Sequence, residues 1–199
     1  MPYIDDSVAN LKNFEGSVPW MYLDTKGLVT VGVGQMLPDA ASAQSLAFVD
    51  SSGQPAGPGA ILADFGRVSG LDPAHSPGFY RVPTSLVLPA DAIDALLMSR
   101  VADFDSQLSG RFPAYPSFPD PAKLGLLDMI YNLGGAKLFG TFHHFMSCVD
   151  NQDWQGAADN CHRMGPSQAR NDWTKQQFQA AATLVSDSAS PSAGAATTN

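Results

Sequence analysis

The stretch Trp20–Gly34, WMYLDTKGLVTVGVG, constrains this chain most, because two β-prone runs flank the turn sequence Asp24, Thr25, Lys26, Gly27. A β-hairpin follows. Val29, Val31 and Val33 alternate with Leu28, Thr30 and Gly32, so the pattern puts Thr30 on the face away from the valines. A fold near Lys26 sets Asp24 opposite or diagonal to Thr30. Gly32 and Gly34 leave room for another group to come close to the backbone. A phosphate-binding loop fits GVG poorly, since the third glycine and the helix start of such loops are missing.

The flanking segments have helical period. A first helix is predicted from Asp5 or Asp6, as N-cap, through Val8, Leu11 and Phe14 to Glu15, with Gly16 as its stop. At about 100° per residue, Val8, Leu11 and Glu15 share one face, so a carboxylate ends an apolar stripe. Either it reaches out at the helix end, or partial burial lets it hold a proton near neutral pH. Residues 35–84 are poorly periodic and rich in Gly, Pro and Ser, and SSGQPAGPG, Ser51–Gly59, is the most flexible part. This region reads as an extended loop with short helical pieces, either a surface insertion or a wall of a binding cleft.

Pro89 then opens an amphipathic helix with Ile93, Leu97, Val101, Phe104 and Leu108 inward and Asp91, Asp94, Asp103 and Asp105 outward. Arg111–Pro119 is a connector. The helix PAKLGLLDMIYNLGG is apolar almost all round and should be central and buried, ending at Gly134 and Gly135. Shorter helices are predicted over Phe142–Val149, Trp154–Met164 and Gln168–Val185. The expected organisation is one domain over residues 1–185 and a disordered Ser/Ala/Thr tail over residues 186–199.

Hydrophobic residues make up 44% of the 199, which suits a folded core and excludes a collagen-like or wholly disordered chain. The net charge of −8 argues against nucleic acid as the main partner, because phosphate contacts need surplus Lys and Arg. No secretory signal is legible in the first twenty residues, and no apolar run reaches the length of a membrane span. Cys148 and Cys161, thirteen positions apart, allow one bridge between neighbouring helices but also read as free buried thiols. With no CxxC or HExxH, and with His143 and His144 adjacent, neither a metal nor another cofactor is expected.

Glu15, Asp24 and Thr30 stand out together, separated by eight and five residues. One carboxyl in an apolar setting and one in a polar, hydrogen-bonded setting have separated pKa values, which hydrolysis of a glycosidic bond needs. At this point the run EGSVPWMYLDTKGLVTVGVGQ resembles the signature of the T-even phage lysozymes, the muramidases of glycoside hydrolase family 24. The pattern E…Y-x-D-x-x-G-x-x-T-x-G-x-G is met by Glu15, Tyr22, Asp24, Gly27, Thr30, Gly32 and Gly34. LLDMIYNLGG is similar to that family's central helix, and DWQGAADNCHRM with QARND to its closing helices. Roughly three quarters of the chain is covered, with the region after Gln35 and the tail outside.

The resemblance implies an α+β, mostly helical, lysozyme-like fold in which a small N-terminal β-hairpin lobe and a helical C-terminal lobe are separated by a glycan-binding cleft. It implies cleavage of the β-1,4 bond between N-acetylmuramic acid and N-acetylglucosamine in peptidoglycan, with inversion. Glu15 would be the general acid, Asp24 would orient or activate water, and Thr30 would position that water. Tyr22, Gly32, Gly34 and Asn132 would contact substrate. Inversion would set the carboxyls about 6.5–9.5 Å apart.

Gln35 replaces a histidine common in that family. The acidic charge weakens attraction to polyanionic walls and suits an enzyme delivered to its substrate, such as a bacteriocin-like toxin or secreted effector. The expected partners are glycan strands and an immunity or inhibitor protein, and the expected state is a monomer that acts on the wall after delivery. Two rivals stand beside hydrolysis: a catalytically silent glycan-binding or adaptor protein, and a lytic transglycosylase.

Overall fold

A computed structural model describes residues 2–189 as a mostly helical α+β protein with one three-stranded antiparallel sheet. Contacts divide the chain into two compact units, one Val8–Arg100 and the other Met1–Ser7 with Val101–Asn199. Helix α1 (Pro2–Glu15) begins earlier than Asp5, because Pro2 fits a first helical turn, and Asp5 lies within that turn.

The hairpin comprises β1 (Val18–Leu23) and β2 (Val29–Gly32), with Tyr22 opposite Thr30 and Leu23 opposite Val29. A bulge interrupts the register between Val18 and Tyr22. A third strand, β3 (Gln35–Met36), was not expected; it sets Met36 opposite Thr30. β2 is therefore the central strand and buried along its whole length, so Thr30 is covered like the valines.

Residues 35–84 are more ordered than their composition suggests. They hold α2 (Ala40–Gln44), the twelve-residue α3 (Pro58–Ser69) and a 3-10 turn at Pro77–Tyr80. Pro58 opens α3 directly after its Gly57 cap, and Ile61 and Val68 are buried from one face. Between them Asp64, also buried, accepts from Arg67 at 2.7 Å and from the Leu86 N–H at 3.0 Å. Arg67 reaches on to the Tyr80 carbonyl and the Ser85 hydroxyl. These bonds fasten the segment to the chain that follows it. In Ser51–Gly59, the expected flexible stretch, Asp50 Oδ1 accepts from the Ser52 and Gln54 amides and closes a tight turn.

Helix α4 (Ala90–Arg111) buries Ile93, Leu97, Val101, Phe104 and Leu108, the face its sequence defined. Asp105 departs from the outward set: it is half-buried and accepts from the hydroxyls of Tyr3 and Tyr115. In the second unit α5 (Asp120–Leu133) is the buried central helix and ends at Gly134. α6 (Gly135–Thr141), not expected from sequence, leads to α7 (His143–Asp150), α8 (Trp154–Asn160) and α9 (Gln168–Ala189). Gly125 of α5 lets α9 pack close, since a Cβ there would stand 2.7 Å from the Phe178 ring. α9 continues through residues 186–189, which composition assigned to the tail; residues 190–199 lie outside the described residues. Cys148 and Cys161 are both free thiols.

Candidate active site

Four of the residues singled out in sequence lie together on the unit Val8–Arg100. Glu15 is the last residue of α1, where Gly16, at φ +71°, turns the chain and donates to the Lys12 carbonyl. Lys12 in turn donates to Asp94 Oδ1 at 2.7 Å, which holds the end of α1 against α4. Glu15 is exposed, as the alternative in which the carboxylate reaches out at the helix end has it.

Asp24 follows β1. Its Oδ1 accepts the backbone N–H groups of Lys26 at 2.8 Å and Leu28 at 2.9 Å, which closes the hairpin turn. Thr30 stands diagonal to it, and its Oγ1 donates to the Leu28 carbonyl at 3.0 Å. Both residues thus hold Leu28, one by its N–H and one by its carbonyl.

Tyr22 is the meeting point of the group. It faces Thr30 across the ladder, and burial, followed by the negative charges of Asp24 and Glu15, pushes its phenol above the ordinary value. Carboxylates from the end of α1 and from the hairpin turn therefore act on one phenol. That field is local, since charges separated by more than about 10 Å are largely screened in salt.

The two glycines behave differently. Gly32, at φ +64°, is buried, and the group that comes close to its backbone is Ile93 of α4: a Cβ would meet Cγ2 at 3.3 Å. Gly34, at φ +67°, has open space around it. Gln35 donates to the Met36 carbonyl and accepts from Arg100. Asn132 is exposed on the last turn of α5, in the other unit.

Sequence reasoning did not find Trp20 and Arg81, whose guanidinium lies 4.6 Å from the centre of the indole. The indole N–H donates to the Pro77 carbonyl at 2.8 Å. Sixty-one positions separate the two residues, and no local period signals such a pair. Among the described residues no three His, Cys, Asp or Glu side chains form a cluster able to hold a metal ion, and no helix is long and apolar enough to cross a membrane. No family model and no curated protein matches this chain.

Chemically, the arrangement offers an exposed carboxyl, a second carboxyl fixed by two amides, and a phenol on which the charges of both act. Such a set can protonate a leaving oxygen and orient water on one polar substrate.

Proposed function

We propose that the protein is a peptidoglycan hydrolase of the phage-lysozyme kind, with a lysozyme-like fold, cutting the β-1,4 bond between N-acetylmuramic acid and N-acetylglucosamine with inversion. The observation that carries this reading is Tyr22: the charges of Glu15 and Asp24 both reach it, and Thr30 is its partner across the sheet. Glu15, Asp24 and Thr30, all within sixteen residues, each bear on that one side chain, which supports the resemblance.

In this reading Glu15 protonates the leaving oxygen. Its exposure in the free protein is compatible with that role, because the bound sugar itself displaces water from the carboxyl. Asp24, whose Oδ1 is fixed by the Lys26 and Leu28 amides, directs its second oxygen to the attacking water. Thr30 positions the same water. Tyr22 and the backbone at Gly32 and Gly34 border the sugar. The net charge of −8 favours delivery of the enzyme to the wall, as a toxin or secreted effector, over electrostatic capture by it.

A second reading is a glycan-binding or adaptor protein without catalysis. It draws on the hydrogen bonds of Asp24 and Thr30, both of which have structural duties in the hairpin. Digestion of purified peptidoglycan by the wild type and by Glu15→Gln, with reduced products identified by mass, separates the readings. The hydrolase releases muropeptides ending in reducible N-acetylmuramic acid, and Glu15→Gln lowers turnover by about 10²–10⁴. Anhydro products indicate a transglycosylase, and absence of products from both proteins favours the binding module.

A further inference from the structure

Within the unit Val8–Arg100, an ion pair joins the end of α1 to α4 beside the candidate acid. Lys12 Nζ donates to Asp94 Oδ1 at 2.7 Å, and the Lys12 carbonyl accepts the Gly16 N–H at 3.1 Å. Lys12 and Glu15 are three positions apart on α1, so their side chains are neighbours on the helix surface, with Cβ atoms about 5–6 Å apart. A lone ammonium at that spacing favours the ionised form of a carboxyl, which has no proton to give to a leaving oxygen.

The pair removes that pull. Opposite charges 2.7 Å apart present almost no net charge one helical turn away, whereas Lys12 alone would present a full one. For stability the contact counts for little, since its side chains are 39% and 48% exposed and such pairs are well solvated. Its consequence is electrostatic and falls on the next turn of α1. Within the same unit α4 also carries the exposed Asp91 and Arg100, which donates to Gln35. The hairpin carries the exposed Lys26, and Asp24, whose charge acts with that of Glu15 on Tyr22.

We propose that Asp94 is a positioning residue for Glu15: by holding Lys12 it keeps a positive charge from acting alone on the acid, and so extends the working range of that acid to higher pH. The inference rests on the hydrolase reading given above and adds to it a residue, 79 positions from Glu15, that tunes its acid without touching substrate.

The test is the pH profile of kcat/KM on purified peptidoglycan for the wild type, Asp94→Asn, Lys12→Gln and the double variant. Asp94→Asn leaves Lys12 unopposed and moves the alkaline limb down by about half a pH unit, so activity above the limb falls about threefold. Lys12→Gln leaves Asp94 unopposed and moves the limb up by a similar amount, and the double variant returns to the wild-type limb. Both shifts shrink in about 1 M salt, where surface charges are screened. A merely structural contact would lower kcat/KM at every pH and leave the limb in place. Limbs unmoved in both single variants, or moved in the same direction, overturn the proposal while an active wild type upholds the hydrolase reading. A wild type that releases no muropeptides at any pH overturns that reading, and this inference with it.

Discussion

Asp128 and Arg163 form a buried ion pair of 2.6 Å, with side chains only 3% and 0% exposed. Asp128 on α5 also accepts from Arg170 Nε at 2.8 Å and from Thr174 Oγ1, so the start of α9 is bound to the central helix by charge. Asn171 closes the set by pairing with the backbone of Arg163 in both directions. Asp128→Ala leaves two guanidiniums without their anion. Loss of about 3–5 kcal/mol is expected in urea unfolding, because a broken buried pair leaves uncompensated charge. A loss below about 1 kcal/mol would show that water or other groups replace the carboxylate.

Tyr22 reports directly on the candidate site. A raised phenol means that the folded protein holds the proton more tightly than the unfolded chain, so this contribution to stability is complete below about pH 10 and is lost as pH rises through the folded value. Removing a nearby negative charge must lower that value. Spectroscopic titration of Tyr22 is expected to shift downward in Asp24→Asn and in Glu15→Gln, and furthest in the double variant. An unmoved midpoint in Glu15→Gln would separate α1 from the site.

Asp24 carries a structural duty and a proposed chemical one, and two substitutions divide them. Asparagine keeps the Oδ1 acceptor for the Lys26 and Leu28 amides, so Asp24→Asn should unfold within about 0.5 kcal/mol of the wild type. Its turnover on peptidoglycan should nonetheless fall at least about 100-fold. Asp24→Ala should lose activity and in addition about 1 kcal/mol of stability. Full activity in Asp24→Asn would remove the carboxylate from the mechanism.

The glycines of the GVG run predict unequal costs. Both have positive φ, but only at Gly32 would a Cβ press on Ile93, at 3.3 Å. Gly32→Ala should cost about 2 kcal/mol and Gly34→Ala about 1 kcal/mol, compared by thermal unfolding. The reverse order would mean that Ile93 yields easily and that Gly34 has a constraint of its own.

Much of the architecture was legible because it is local. Turn chemistry at Asp24–Gly27 marked the hairpin, and the spacing of Ile93, Leu97, Val101, Phe104 and Leu108 marked the buried face of α4. The apolar run ending at Gly134 marked α5. Less legible was α3, since the Gly and Pro residues around it read as loop, although Gly57-Pro58 is also a helix start. β3 was missed because two residues carry no period.

Of the candidate site, the residue types and their order could be read along the chain, and so could the nearness of Asp24 to Thr30, opposite or diagonal, which the register settled as diagonal. Burial could not. Thr30 is covered because β3 makes β2 a central strand, and Glu15 is exposed at the end of α1. The partners of Asp128, 35 and 42 positions away, and the seat of Arg81 on Trp20 likewise required the folded chain. Periodicity and turn preference act over a few residues and are written in the sequence, whereas desolvation and charge pairing depend on which distant segments arrive at a side chain, and only the tertiary structure decides that.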